Sequence, residues 1–189
     1  MCPRVNGIGE ITQLLERARD GEPAAWEQAV ASLYEDLLRM ARRARAHGGA
    51  ATLNPTALVN ECYLRVARRQ AAGIHSREHF LAIAGRAMRQ ILVNYARDRV
   101  AAKRGGGALQ VTLDEDTLSA QHEADDLLAL DAALNQLATE DVRLARIVDC
   151  RIFSGLTEQE TAEALNLPLR SVQRLWHDAR ERLRHLLPD

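Results

Sequence analysis

The 189-residue chain is predicted to be all-α, with two small helical domains joined by a flexible acidic linker and a helix-turn-helix at the C-terminal end. Three observations predict this. Apolar residues recur at steps of three and four along most of the chain, and nowhere alternate long enough to establish a strand. Glycine and proline punctuate that pattern where helices would end and begin. Charge lies in blocks, although the formal net charge is only −1. These features place a first domain at 8–104, the linker at 105–125 and a second domain at 126–187.

Ile11, Leu14, Leu15 and Ala18 mark a short first helix, closed by Asp20-Gly21. Pro23 suits a first helical turn. From there Trp26, Val30, Leu33, Leu37, Met40 and Ala44 draw one long apolar stripe, which stops at Gly48-Gly49. Asn54-Pro55 is a cap followed by a first-turn proline; Leu58, Cys62 and Val66 line the helix it opens, and Gly73 breaks again. Phe80, Ala84, Ala87, Ile91 and Tyr95 carry a long fourth helix into Gly105-Gly106-Gly107. That helix is basic: Arg77, Arg86, Arg89, Arg97, Arg99, Lys103 and Arg104 face only Glu78 and Asp98.

From Gly105 to Asp131 there is no Lys or Arg, and the acids are Asp114, Glu115, Asp116, Glu123, Asp125, Asp126 and Asp131. Two basic blocks separated by an acidic strip suggest two nucleic-acid surfaces on a mobile connector. Leu127, Leu130, Leu134 and Leu137, then Val142, Leu144, Ile147 and Val148, supply a bundle beneath the last motif.

That motif, LTEQETAEALNLPLRSVQRLWHDARERLR from 156 to 184, is the most informative stretch. Thr157 is a good N-cap, and Glu160 completes a capping box. Leu156, Ala162, Leu165, Leu167, Val172 and Leu175 fit two short helices packed together. Asn166-Leu167-Pro168 breaks the first helix, since proline disfavours helical geometry in the residue before it. A second helix then starts on Leu169. It carries Arg170, Ser171, Gln173, Arg174, His177 and Arg180, which can reach base edges or phosphates. This is the pattern of a DNA-binding helix-turn-helix.

Other chemistry finds little support. Cys2, Cys62 and Cys150 lack zinc-ligand spacing, and the last two sit in apolar helical contexts as small core residues. His75 and His79 have an i, i+4 spacing but no convincing third ligand, so they read as exposed structural histidines. The glycine triplet is followed by acids, where a phosphate-binding loop wants a helix N-terminus and a cation. No catalysis, metal or cofactor is expected. No apolar run approaches membrane-spanning length, so a cytoplasmic protein is expected.

Taken together, these motifs resemble those of extracytoplasmic-function sigma factors, and the likeness runs along nearly the whole chain. Leu156, Glu160 and Ala162, followed by Ser171, Val172 and Arg174, match the family's minus-thirty-five-reading motif, and Trp176-His177-Asp178-Ala179-Arg180 resembles its continuation. Leu58-Val59-Asn60-Glu61-Cys62-Tyr63-Leu64-Arg65 resembles the family's Leu-Val-Gln-Glu-x-Phe-Leu-Arg segment. The resemblance implies an alternative sigma factor that directs core RNA polymerase to promoter DNA. It implies docking on the polymerase beta-prime clamp coiled coil through Asn54, Thr56, Leu58, Asn60 and Glu61. It also implies that Arg86, Arg89, Gln90, Asn94 and Arg97 face the melted strand near the minus-ten element, and that the loop from Ala72 to Ser76 corresponds to the family's base-capturing loop. An anti-sigma partner is compatible with it but not required.

One departure is informative. The family usually carries an acidic Asp-Ala-Glu-Asp segment before Leu-Val-Gln-Glu; here Asn54-Pro55-Thr56-Ala57 stands in its place. A phosphate on Thr56 would add roughly −1.5 to −2 charge at a helix N-terminus, where the dipole favours it. The resemblance extends to a subgroup without these acids that Ser/Thr protein kinases switch on. Thr56 is therefore the expected phosphorylation site, with Thr52 as second choice. The alternative readings are a free-standing dimeric helix-turn-helix regulator, which would bind two-fold operators without polymerase, and a helical adaptor independent of DNA.

Overall fold

The computed structural model describes residues 8–48, 54–68, 73–105 and 115–187. Every regular element among them is helical, as the apolar periodicity requires. In chain order they are α1 (Ile8–Arg19), α2 (Pro23–Gly48), α3 (Pro55–Arg68), α4 (Arg77–Gly105), α5 (Glu115–Glu140), α6 (Val142–Val148), a π-helical segment (Asp149–Ser154), α7 (Glu158–Leu165) and α8 (Leu169–Leu186).

The stripes read from the sequence face inward. Leu33 and Leu37 of α2, Leu58 and Cys62 of α3 and Ile91 and Leu92 of α4 are fully or almost fully buried. Helix α4 organises the molecule. It packs on α2 and α3 of the N-terminal part and more extensively on α5, the π-helical segment and α7 of the C-terminal part. Buried side chains form one continuous cluster that runs from Ile11 to Leu183.

The expected linker at 105–125 is corrected in part. From Glu115 onward the chain is helical, and Ala124 is already in the core. Glu115 and Asp116 open α5, and acids in a first turn are stabilised by the helix dipole. A run that reads as solvated connector is thus also good helix-start chemistry. The rest of the expected linker, 106–114, lies outside the described residues.

The C-terminal elements follow their capping chemistry. Asp141 caps α6 by accepting from the Arg143 amide. The helix then widens into the π-helical segment, which ends at Gly155 in the left-handed region at φ 68, its N–H reaching the Cys150 carbonyl. A residue with a Cβ is strained there. Thr157 accepts from the Glu160 amide, and the Glu160 carboxylate accepts from the Thr157 amide in return, a complete capping box on α7. Asn166 closes α7 in the left-handed conformation at φ 52, and Pro168 precedes the first residue of α8.

Glu160 is also within 3.5 Å of Arg77 on α4. Partial burial pushes its carboxyl up, but hydrogen bonds from Thr157 and the Arg77 guanidinium hold it below the ordinary value. A carboxyl depressed in the folded state contributes stability above its unfolded pKa and loses it as pH falls. Thr157→Ala removes the cap acceptor and is expected to cost about 1 kcal/mol in equilibrium urea unfolding. An unchanged midpoint would show that the cap contributes nothing net.

Candidate DNA and polymerase interfaces

Helix α8 turns Val172, Leu175, Ala179 and Leu183 into the core. The residues between them point outward. Arg170, Gln173, Arg174, His177 and Arg180 are exposed, and Ser171 is half-exposed. Gln173 donates to Glu158 of α7 at 3.2 Å, tying the reading face to the supporting helix. The Arg180 guanidinium stands 5.9 Å from the Trp176 ring centroid, and Arg151 stands 5.6 Å from it. The opening turns thus present the Arg170 and Arg174 guanidinium groups and the Ser171 hydroxyl, with the Gln173 amide held by Glu158, groups of the kind that contact DNA, and Arg180 lies a turn or more further along the helix. Arg180→Ala is expected to weaken binding to all duplex sequences alike and to lower the salt slope by about one unit. Loss confined to one sequence would instead place Arg180 at a base edge.

The α4 face is different from what the sequence suggests. Arg86 and Asn94 are exposed and Gln90 is half-buried. Arg89 is not on the surface: it is only 5 % exposed. Its Nε donates to Asp149 Oδ1 at 2.7 Å, and its Nη1 donates to Asp131. Arg97 is exposed, but its Nη2 donates to Asp131 Oδ2 at 2.9 Å. Arg89 as a DNA contact is therefore corrected for this arrangement. A guanidinium buried among helices must be neutralised by carboxylates. Lys103 and Arg104 fall where no side chain is described.

At the start of α3 the structure matches the expected cap. Asn54 Oδ1 accepts from the Thr56 amide at 2.9 Å, with Pro55 as first helical residue. Asn54, Thr56 and Asn60 are exposed, and Glu61 is half-buried beside Arg65. Leu58 is fully buried in the core, so its place in a docking surface is corrected. The helix has no acid in its first turn. Thr52 lies outside the described residues. Of the arginines near the end of α2, Arg42 is exposed and the Arg43 guanidinium lies over Gly155; the side chain of Arg45 is outside the described residues.

The remaining candidates divide similarly. His75 is exposed, but His79 is half-buried, its ring centroid 4.2 Å from that of His75. Burial of His79, with help from His75, holds its pKa below the ordinary value. The two were expected to be exposed alike; only His75 is. Among the described residues no group of His, Cys, Asp and Glu could hold a metal. Cys62 and Cys150 are buried free thiols, both pushed by burial up to about 12. Among the described residues no helix is long and apolar enough to cross a membrane.

Sequence reasoning missed the groups that join the two parts of the chain. Asp131 and Asp149 hold Arg89, and Arg77 bridges Asp36 on α2 at 2.7 Å to Glu160 on α7. A signal was present for the first pair. Asp131 interrupts the apolar run Leu127 to Leu134, and Asp149 stands between Val148 and Cys150. A lone acid inside an apolar run points to a buried partner.

A chain whose described elements are all helical, with a capped helix-turn-helix, a polar face on its last helix and a basic fourth helix, has the build of a promoter-reading transcription factor. The family model for ECF sigma factors matches residues 8–189, and the chain belongs to that family. Its members are transcription initiation factors that bind core RNA polymerase and promoter DNA. Searches of curated proteins and of solved structures give no match.

Proposed function

We propose that the protein is an alternative sigma factor whose access to core polymerase is switched on by phosphorylation of Thr56. The observation that carries this reading is the start of α3. Thr56 is exposed in the first turn of the helix, and that turn has no acid of its own. A phosphate there would sit at the positive end of the helix dipole. It would also restore negative charge where the family's acids stand. The reading keeps a minus-ten and polymerase domain at 8–104 and a minus-thirty-five domain at 126–187, with the kinase as a transient partner. The test is binding of purified core polymerase to unmodified protein and to protein phosphorylated at Thr56. Phosphorylation is expected to tighten the complex; equal affinity would refute the switch.

A regulator that works without polymerase would need a two-fold dimer on DNA. The family match favours the sigma reading over that alternative.

A further inference from the structure

Helical spacing lays His79, Ile83 and Arg86 along one stripe of α4. His75, just before the helix, sets its ring against that of His79, the centroids 4.2 Å apart. Arg146 of α6, Asp149 at the head of the π-helical segment, and Leu165 and Asn166 at the end of α7 meet the same stripe. These elements line a cavity of about 290 Å³. A concave site near that size, apolar in part and with a few convergent polar groups, is the usual form of a small-molecule site.

The polar wall of the cavity is cationic. Arg86 and Arg146 are exposed, and among the described residues neither has a carboxylate partner. Asp149, the acid among the described lining residues, is already taken. Its Oδ1 accepts from Arg89 Nε at 2.7 Å and its Oδ2 from Arg89 Nη2 at 3.4 Å. Burial lowers the His79 pKa, and the charges of His75 and Arg146 push the same way. Ile83 and Leu165 supply an apolar side.

Two guanidinium groups and two imidazoles converge here from α4, the residues before it and α6. A planar carboxylate is satisfied by one fork. A phosphate has three terminal oxygens and takes donors from several directions at once. We propose that this cavity binds a small phosphomonoester, with Arg86, Arg146, His75 and His79 on the phosphate and Ile83, Leu165 and Asn166 beside the ester body. An occupant engages Arg86, so the site sets promoter engagement against the level of a small anion. The site itself is independent of the Thr56 switch; its competition with DNA rests on the reading of Arg86 as a DNA contact.

The experiment is isothermal titration calorimetry of the full-length chain at fixed ionic strength in chloride. The probes are inorganic phosphate, a nucleoside monophosphate and, as the carboxylate control, succinate. Saturable one-to-one binding is expected for the first two, and succinate is expected to bind roughly tenfold or more weakly. In NMR spectra the imidazole signals of His75 and His79 should shift on addition of phosphate, while those of His177 and His185 on α8 stay in place. Arg146→Gln should weaken the monophosphate roughly tenfold or more and leave the urea midpoint unchanged, since its side chain is exposed. The monophosphate should also weaken binding of a fluorescent single-stranded DNA to wild type but not to Arg146→Gln. No saturable binding, succinate as tight as phosphate, or Arg146→Gln as tight as wild type overturns the site. Saturable binding that leaves the DNA affinity of wild type unchanged overturns the competition. Arg86→Gln that binds the DNA as tightly as wild type contradicts the reading of α4 as a DNA surface, and the calorimetry then decides the site alone.

Discussion

Thr56→Ala is expected to abolish promoter-dependent transcription even after treatment with the activating kinase, to the level of unmodified wild type. The side chain is exposed, and the cap bond uses the Thr56 backbone amide. Loss of activity would therefore report loss of the phosphate, not of the helix. Thr56→Glu is expected to restore only part of the activity, since a carboxylate carries less charge and fewer acceptor atoms than a phosphate. Two routes lead from phosphate to polymerase, and they separate cleanly. If the phosphate faces the basic coiled coil of polymerase, charge reversal on that coiled coil removes the gain. If it re-poses α3 by pairing within the chain, with an arginine such as Arg42, Arg43 or Arg45, Arg→Ala substitution there removes it. Transcription by Thr56→Ala equal to that of kinase-treated wild type would move the switch elsewhere, with Thr52 next.

Arg170→Ala and Arg174→Ala are expected to cost about 1–3 kcal/mol each in binding to the cognate minus-thirty-five element, if each forks onto a guanine edge. That is a loss of roughly five- to 150-fold in affinity, largest for cognate sequence and small for unrelated duplex. Both side chains are exposed at the start of α8, and among the described residues neither has a carboxylate partner that would mask the effect. Stability should barely change, so urea unfolding of the variants serves as the control. Promoter activity unchanged in both variants would remove the opening turns of α8 as the reading surface.

The parts of the fold that were legible in the sequence are those governed by local chemistry. Thr157 with Glu160, Asn166 before Leu167-Pro168, and Asn54 before Pro55 each determine a helix end within a few residues, and the helices begin and end there. The start of α5 was misread because acids without lysine or arginine look the same in a solvated linker and in a helix first turn. The π-helical segment was not legible at all: no residue pattern distinguishes its wider hydrogen bonds from those of α6. The site was legible where it is surface chemistry, as on α8. It was not legible where it depends on partners 42 and 60 residues away, as for Arg89. Spacing along α4 marks Arg89 as basic and periodic, but only tertiary packing decides whether its partner is a phosphate or a buried carboxylate.

Under the proposed function, this chain delivers core polymerase to promoters once Thr56 carries a phosphate. Run-off transcription with purified core polymerase tests it most directly, using a template library and three preparations: unmodified, phosphorylated at Thr56, and phosphorylated with Arg174→Ala. Discrete transcripts are expected from the phosphorylated protein, near-background yield from the unmodified protein, and loss of the same transcripts with Arg174→Ala. Equal transcripts from unmodified and phosphorylated protein, or none from either, would contradict it.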